Sequence, residues 1–264
     1  MFCLSLNDED YDKIKSLNYI PVGLGNKKFS SKWIRDNSGE NISVKNSFYG
    51  EYTFHYWFWK NKLKEISDHT WIGFCAYRRF WTKSSNSLKI FNKQDFLSEI
   101  PNDWDNYDVI LGQNIFMDGW TPMKVLKHGL KSFILNPTFI FKKNWNLKLH
   151  FDSFHGYGNL DKAIELLEDN DKTDFKFFME NQNFYNRGNM FITNNKKIIN
   201  DFYETIFPWL KRCEKVFGFH GSTYGNTRIY GFLMERFISY WFNKYSKVRV
   251  WPIIFYNINK EKKC

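Results

Sequence analysis

Short apolar runs alternate with longer amphipathic stretches along the chain. The apolar runs predict buried strands at residues 2–6, 19–22, 71–75, 108–111, 189–193 and 249–255. Between them, apolar residues recur at helical spacing at 8–17, 47–66, 95–100, 159–168, 196–213 and 227–243. Alternating strands and helices are typical of the α/β class.

The stretch 118–154 follows neither period. It holds Gly119, Pro122, Gly129 and Pro137 among several aromatic residues. We expect a loop-rich excursion or a small helical lobe at about 118–158, set within a single domain of residues 1–264. Long irregular segments of this kind tend to be functional.

Two adjacent arginines follow the predicted strand at 71–75. The sequence there reads Tyr77-Arg78-Arg79-Phe80. Open α/β sheets bind ligands at the carboxyl ends of their strands, and guanidinium groups grip phosphate through paired hydrogen bonds. The pattern favours an anion site over its alternative, a surface pair neutralised by acidic neighbours.

Composition narrows the choice of partner. The 264 residues carry a formal net charge of +10, which favours nucleotide phosphates, acidic lipids or nucleic acid. The lysines are dispersed and no zinc-finger spacing occurs, so no nucleic-acid partner is expected. Aromatic residues make up 20% of the chain and suit nucleobase and sugar rings as well as a core.

The cellular compartment is predicted from what the sequence lacks. Its four cysteines show no paired spacing, which fits a reducing compartment. The N-terminal FCLSLNDED is too short and acidic for a signal peptide, and no apolar run approaches the roughly 20 residues that cross a bilayer. We expect a cytoplasmic protein that rests peripherally on the inner face of the cell membrane.

A second candidate group lies on the helix predicted from Thr227. Arg228, Gly231 and Glu235 are spaced to share one helix face, with the two charges roughly 10 Å apart. A cation and a carboxylate flanking a glycine suit a phosphate contact beside a general base. The alternative is a helix crossing at Gly231 with both charges in solvent, and the sequence leaves both open.

Two further residues are weaker candidates. Asn189 enters a predicted strand after a glycine and could present its amide to a ligand, although residue type alone favours an ordinary turn asparagine somewhat more. His155 precedes a predicted helix and is either a structural or an acceptor-side residue.

Asp103-Trp104-Asp105 precedes its strand rather than following it, which favours a solvated loop. The sequence therefore gives no metal ligands, and a role for Mn²⁺ or Mg²⁺ stays open.

Four blocks of sequence resemble the bacterial DUF4422 family, glycosyltransferases of capsule and O-antigen gene clusters. They span nearly the whole chain in the family's order: Tyr19 to Gly23; Asn41 to Asn61 with Asn46, Glu51, Thr53, Lys60 and Asn61; Ile72 to Phe80; and Asn189 to Ile192 with Arg228 and Gly231 to Arg236. One position departs from the pattern, because Ala76 stands where the family usually has a histidine before Tyr-Arg-Arg.

The resemblance implies a GT-A-like mixed sheet flanked by helices, with an acceptor-side insertion. It also implies transfer of a hexose, galactofuranose or galactose, from a UDP-linked donor to a lipid-linked acceptor of a surface polysaccharide. Ala76 raises the alternative of a non-catalytic glycan- or nucleotide-binding protein derived from such an enzyme.

Roles for individual residues follow from the resemblance together with the charges. Arg78 and Arg79, with Tyr77 and Asn189, are assigned to the donor and its diphosphate, supplemented by Arg228 or Arg236. Asn46, Lys60 and Asn61 are expected to support the donor site, and His155 to lie on the acceptor side. Glu235 is the predicted catalytic base, since its neighbouring cations keep it ionised; Asp108 and His155 are the alternatives.

Overall fold

The structure is a computed structural model that describes residues 1–85, 93–117, 121–221 and 223–258. The chain divides into two compact units. The first comprises Met1–Gln113, Arg187–Tyr203 and Phe242–Cys264, and the second comprises Asn114–Asn186 and Glu204–Trp241. The single-domain assignment stays a prediction.

The first unit is built on a mixed sheet. Within the described residues its strands are β1 (Phe2–Ser5), β2 (Ile20–Gly23), β3 (Ile34–Arg35), β4 (Ile72–Ala76), β5 (Arg79–Trp81), β6 (Val109–Gly112), β9 (Phe191–Thr193), β10 (Val248–Trp251) and β11 (Ile253–Phe255). The order is β10-β6-β9-β4-β1-β2-β3, with β5 pairing to both β4 and β11. Strands β1 to β4 are mutually parallel, whereas β9 runs antiparallel to β4 and β6.

Helices α1 (Tyr11–Lys15), α2 (Asn46–Tyr49) and α3 (Tyr52–Asn61) belong to the first unit. Phe54 and Phe58, on the apolar face of α3, pack on Phe2 and Phe74 of the adjacent strands β1 and β4, with ring centroids 5.2–6.3 Å apart. Burying four large rings supplies much of the driving force for this layer.

The second unit is mainly helical around a two-stranded pair. The pair joins β7 (Asn114–Phe116) to β8 (Phe184–Asn186) in antiparallel register. Its helices are α4 (Pro122–Leu135), α5 (Leu147–His155), α6 (Asn159–Ile164), α7 (Asp169–Asn181) and α9 (Tyr224–Thr227); α8 (Lys196–Phe217) and α10 (Ile229–Tyr245) begin or end in the first unit. Phe175, Trp209 and Phe237 form its aromatic centre.

The sequence prediction of an α/β sheet flanked by helices is confirmed. All six predicted strands form, although the run 249–255 is two strands separated at Pro252. The helix predicted at 95–100 is wrong: Lys93–Asp95 is a single 3-10 turn, and Phe96 pairs in a β-bridge with Thr82. Residues 118–120 of the irregular stretch lie outside the described residues. The rest of the stretch is mainly helical, because α4, α5 and the 3-10 turns Pro137–Ile140 and Lys142–Asn144 account for most of it.

Candidate functional site

The arginine pair lies at the carboxyl ends of the parallel strands. Strands β1 to β4 all end at the same edge of the sheet, and Tyr77 and Arg78 form the turn between β4 and β5. Arg79 opens β5 and pairs with Phe255 of β11, while the Tyr256 N–H donates to the Arg78 carbonyl at 3.1 Å. Backbone hydrogen bonds therefore fix both arginines at the edge where open α/β sheets bind ligands.

Within the described residues, neither guanidinium of the pair is neutralised by a carboxylate. Both arginines are exposed, and the Arg78 guanidinium carbon lies 4.9 Å from the Tyr77 ring centroid. Across the ranges that the structure covers, no carboxylate comes within ion-pair distance of Arg78 or Arg79. The alternative of a pair neutralised by acidic neighbours thus has no support among these residues.

A third arginine, which the sequence analysis did not select, lies in the turn that Arg79 contacts. Gly188 in this turn has φ +78°, and a Cβ added there would lie 3.5 Å from Arg79 Nη1. The preceding residue, Arg187, donates its backbone N–H to Gln113 at 2.8 Å, and its buried Nε has no hydrogen-bond partner within the described part of the chain. Its position in the same short motif as Asn189 was the signal available in the sequence.

Asn189 is held from behind by buried polar groups. The Tyr52 hydroxyl donates to Asn189 Oδ1. In the same layer, His55 Nδ1 lies 2.8 Å from the Tyr203 hydroxyl, and burial lowers the pKa of His55 to about 3. A neutral imidazole and two tyrosines therefore form a fixed support for the 187–189 turn.

The three support residues contact loops next to the strand ends. Asn46 donates to the Gly50 carbonyl at 2.9 Å and to Thr53 Oγ1 at 3.1 Å. Asn61 Nδ2 donates to the Glu40 carbonyl and its Oδ1 accepts from the Glu40 N–H, and Lys60 Nζ lies 3.5 Å from the Trp59 ring. These contacts fasten the loop around Glu40 to the end of α3, and a donor-site role for them stays a prediction.

One buried carboxyl at this edge carries no sequence motif. Asp36 directly follows β3 and is fully buried, and neither of its carboxyl oxygens has a hydrogen-bond partner meeting ordinary geometry among the described residues. Burial raises the pKa of Asp36 above its ordinary value. Nothing in its sequence context distinguishes it from a loop aspartate.

In the second unit, Glu235 and Arg236 form a buried ion pair. Arg236 Nη1 donates to Glu235 Oε2 at 2.7 Å, and the two side chains are 1% (Arg236) and 12% (Glu235) exposed. The Arg236 guanidinium also lies 3.7 Å from the Tyr185 ring centroid, and its Nη2 is 3.2 Å from His150 Nδ1. Three protein partners thus surround the Arg236 charge, and its predicted phosphate role stays a prediction.

His155 occupies an aromatic slot in the same unit. Its ring stacks on Phe232 at 4.0 Å and lies 4.7 Å from Phe151. Burial, together with the smaller effect of the nearby Arg236 charge, lowers the pKa of His155 to about 3. The imidazole is therefore neutral at physiological pH, which suits a structural role as well as a contact to an acceptor.

Arg228 does not lie within the helix that carries Glu235. The helix predicted at 227–243 forms as α9 and α10, and Arg228 is the residue between them, with φ −102° and ψ 25°. Its Nη1 donates to the Tyr224 hydroxyl at 3.0 Å. Arg228 therefore immediately precedes the helix that carries Glu235, and its carbonyl accepts a hydrogen bond from the Phe232 N–H at 3.2 Å.

The Asp103–Asp105 pair lies at the other edge of the first unit's sheet. Asp103 pairs with Arg249 at 2.7 Å, and Asp105 lines a pocket of about 640 Å³ together with Asp108, Asn195 and Lys247. These residues flank the starts of β6 and β10, opposite the arginines. Among the described residues no three His, Cys, Asp or Glu side chains are grouped to hold a metal ion.

The mixed sheet, its flanking helices and the polar strand ends define a GT-A-like fold. The chain belongs to the family DUF4422, described as "Domain of unknown function", whose family model matches residues 6–247. Among curated proteins, none matches the chain.

A solved structure titled "WbbM bifunctional glycosytransferase apo structure" is similar in fold. The TM-score is 0.69 at 19% sequence identity, and the match covers 96% of this chain and 44% of the other. The present chain thus spans less than half the length of that protein. At this identity the likeness establishes the architecture alone.

Proposed function

We propose that this protein is a glycosyltransferase that uses a nucleotide-sugar donor. The observation that carries the proposal is the presence of three arginines at the strand ends, Arg78, Arg79 and Arg187, none of which has a carboxylate partner in the described residues. A diphosphate is the ligand that such a group suits, because paired guanidinium contacts match phosphate oxygens. The GT-A-like fold and the similarity to a titled glycosyltransferase support the class of reaction.

In the proposed reaction, an acceptor hydroxyl attacks the anomeric carbon of the donor sugar and the nucleoside diphosphate leaves. The arginines offset the charge that develops on the leaving group, as fixed cations do in other transferases. Tyr77 and Asn189 contribute contacts to the donor, and Arg228 is a supplementary cation. We propose a UDP-linked galactose or galactofuranose as donor and a lipid-linked chain of a surface polysaccharide as acceptor, by the family resemblance.

Calorimetric titration with UDP and UDP-sugars, with and without Mn²⁺, tests the donor site. Replacing Arg79 by alanine is expected to weaken UDP binding about 10- to 100-fold, the value of one charged hydrogen-bonding group. Arg249→Ala is the matched control: this arginine lies in the same unit but at the opposite sheet edge, paired with Asp103, so UDP affinity should stay unchanged. If the parent protein binds no nucleotide and no nucleotide sugar, the proposal is wrong.

Glu235 is retained as the proposed catalytic base, against a competing role as the ion-pair partner of Arg236. The change Glu235→Gln keeps the shape and removes the basicity. If Glu235 is the base, the variant should lose about 10²- to 10⁴-fold in turnover with donor affinity unchanged. If Glu235 is only the ion-pair partner of Arg236, turnover of the folded variant should stay near that of the parent. In either case Arg236 is left buried without its counter-charge, so the unfolding free energy should fall by about 3–5 kcal/mol. Turnover measured below the melting temperature of the variant therefore separates the two roles.

A non-catalytic binding protein is the second candidate, and Ala76 is the observation that favours it. Ala76 is buried at the end of β4, immediately before the arginine turn. The change Ala76→His introduces the family's residue at that point. If the parent binds donor without transfer and the variant gains donor hydrolysis or transfer, the binding-protein alternative is correct. Transfer by the parent protein itself excludes that alternative.

A further inference from the structure

The outer face of α4 and of the turns after it is apolar and exposed. Met123, Leu130 and Ile134 are 77%, 57% and 68% exposed. Together with Leu126 they are spaced i, i+3, i+7 and i+11 across a kink at Gly129, and all four side chains are exposed on the outer side of the helix. Three further exposed apolar residues extend this surface beyond Ile134: Leu135, Ile140 and Phe141. We call these seven residues the α4 apolar surface.

The opposite side of α4 is accounted for by packing within the second unit. Val125, Gly129 and Ser132 are buried, and a Cβ added to Gly129 would lie 2.2 Å from Ser153 Oγ of α5. The helix therefore already has its intramolecular partner. Single exposed apolar side chains are ordinary, but a contiguous row on one helix face marks an interaction surface.

Charge indicates the chemistry of the partner. Residues 121–146 include five lysines and no aspartate or glutamate. Four of these lysines are exposed beside the apolar row: Lys127, Lys131, Lys142 and Lys143. An apolar stripe bordered by lysines is the pattern of helices that lie in the plane of an anionic lipid surface. A second copy of the chain is disfavoured, because it would bring lysines against lysines.

We propose that the α4 apolar surface docks the protein on an anionic lipid bilayer. The helix, about 21 Å long, lies in the plane of the interface with its apolar row among the acyl chains. The lysines contact the phosphate headgroups. No helix in the described ranges is both long enough and apolar enough to cross a bilayer, and a docking surface needs none. The inference does not rest on sugar transfer, since docking is measured without donor or acceptor.

Vesicle flotation tests the apolar contribution. The probes are vesicles of phosphatidylglycerol and phosphatidylethanolamine, with phosphatidylcholine vesicles for comparison. Leu130→Ser combined with Ile134→Ser is expected to weaken binding to the anionic vesicles at least about tenfold. The matched control is Phe177→Ser with Val216→Ser, two exposed apolar residues elsewhere in the same unit, which should change binding less than about twofold.

The lysines are tested by an equally matched pair of variants. Lys127→Gln with Lys131→Gln should weaken binding about 30-fold, the equivalent of about 1 kcal/mol for each lysine. Lys211→Gln with Lys215→Gln removes the same charge at the same helical spacing on α8 and should have a much smaller effect. Thermal melts confirm that each variant is folded.

Three outcomes would overturn the proposal. Equal loss in both lysine pairs would mean that net charge alone attracts the protein to lipid. Binding to phosphatidylcholine that equals binding to phosphatidylglycerol and ignores salt would exclude an electrostatic component. Finally, if the Leu130 and Ile134 changes abolish a dimer in analytical ultracentrifugation while vesicle binding persists, the surface is an interface between copies.

Discussion

His155 shows how a buried titratable side chain links the fold to pH. Its pKa is lowered to about 3, whereas an unfolded histidine titrates near 6.5. Above pH 6.5 the imidazole of His155 is neutral in both the folded and the unfolded state, so it does not lower the free energy of unfolding. As pH falls below 6.5, this histidine binds a proton in the unfolded state but not in the folded state, so the free energy of unfolding decreases progressively.

The change His155→Phe should remove this dependence. At pH 7 the variant is expected within about 1 kcal/mol of the parent, because a phenyl ring fits the aromatic slot formed with Phe232 and Phe151. At pH 5 the parent should have lost about 2 kcal/mol of unfolding free energy relative to the variant. Urea denaturation from pH 7 to pH 4.5 measures the difference. His55 also has a lowered pKa but is present in both proteins, so its contribution cancels.

A parallel result would contradict this assignment. If the parent and the His155→Phe variant lose stability equally between pH 7 and pH 4.5, the imidazole is not held neutral by burial. Turnover adds a second readout, since an acceptor-side role predicts a raised KM in the variant while a structural role leaves KM unchanged.

Individual functional residues were predictable where the neighbouring sequence shows a recognisable pattern. Arg78 and Arg79 stand together after an apolar run, and the strand that ends at Ala76 places them at the sheet edge. Arg187 was missed because its significance comes from Arg79 across the Gly188 turn, a contact between distant parts of the chain. Asp36 was missed because burial, which raises its pKa, is a property of the fold.

At the scale of elements, the crossing of α4 and α5 depends on a glycine. Gly129 lies at a kink in α4, with φ −111° and ψ 20°, a conformation that any residue can adopt. The added Cβ of Gly129→Ala would nonetheless collide with Ser153 Oγ at 2.2 Å. We therefore expect the variant to lose about 1–3 kcal/mol of unfolding free energy by overpacking.

A second substitution checks the cause of that loss. Ser153→Ala removes the colliding oxygen. Gly129→Ala should therefore lower the unfolding free energy much less in the Ser153→Ala background than in the parent protein. A favourable coupling of at least about 0.5 kcal/mol in chemical denaturation is expected. Strict additivity of the two changes would show that the crossing does not depend on this contact.

A strand or helix was predictable when the sequence pattern that specifies it lies within the segment itself. The strand runs were found because they are short, apolar and bounded by turn residues. The helix at Asp169–Asn181 was missed because it is rich in charge, which weakens the helical period. The helix at Pro122–Leu135 was predicted only as one alternative, a small helical lobe, because it leaves apolar residues exposed. The division of 249–255 at Pro252 reflects a residue that cannot donate to a sheet.

On the scale of the whole molecule, the first unit is assembled from distant parts of the chain. Strand β1 lies between β2 and β4, and β10 and β11 close the sheet against β6 and β5. The two late strands bury Trp251, Ile253 and Ile254. Their burial is worth several kcal/mol, comparable with the total stability of an ordinary domain.

Truncation after Ser246 should therefore abolish cooperative unfolding of the first unit. The control is truncation after Ile258, which retains every described element and should melt near the parent temperature. Calorimetric melts of the two truncated proteins make the comparison. A chain ending at Ser246 that melts like the parent would show that β10 and β11 are dispensable.

The fold class was accessible from sequence because strands and helices alternate along the chain, and the family blocks span nearly all of it. The strand order was not, since pairing such as Arg79 with Phe255 joins residues far apart in the sequence. Local periodicity fixes which segments are strands, whereas neighbours in a sheet are chosen by packing of the complete chain.

The pairing of β5 with β11 also sets an order of events during synthesis. The ribosome releases the arginine turn long before Ile253–Phe255, with the whole second unit translated in between. At ordinary elongation rates of about 5–20 residues per second, roughly 10–30 s separate the two segments. During that interval the edge of β5 that later pairs with β11 is unpaired in the nascent chain, and Arg78 and Arg79 lie beside it. A nascent chain stalled before residue 253 should therefore be a better ligand for chaperones than for nucleotides.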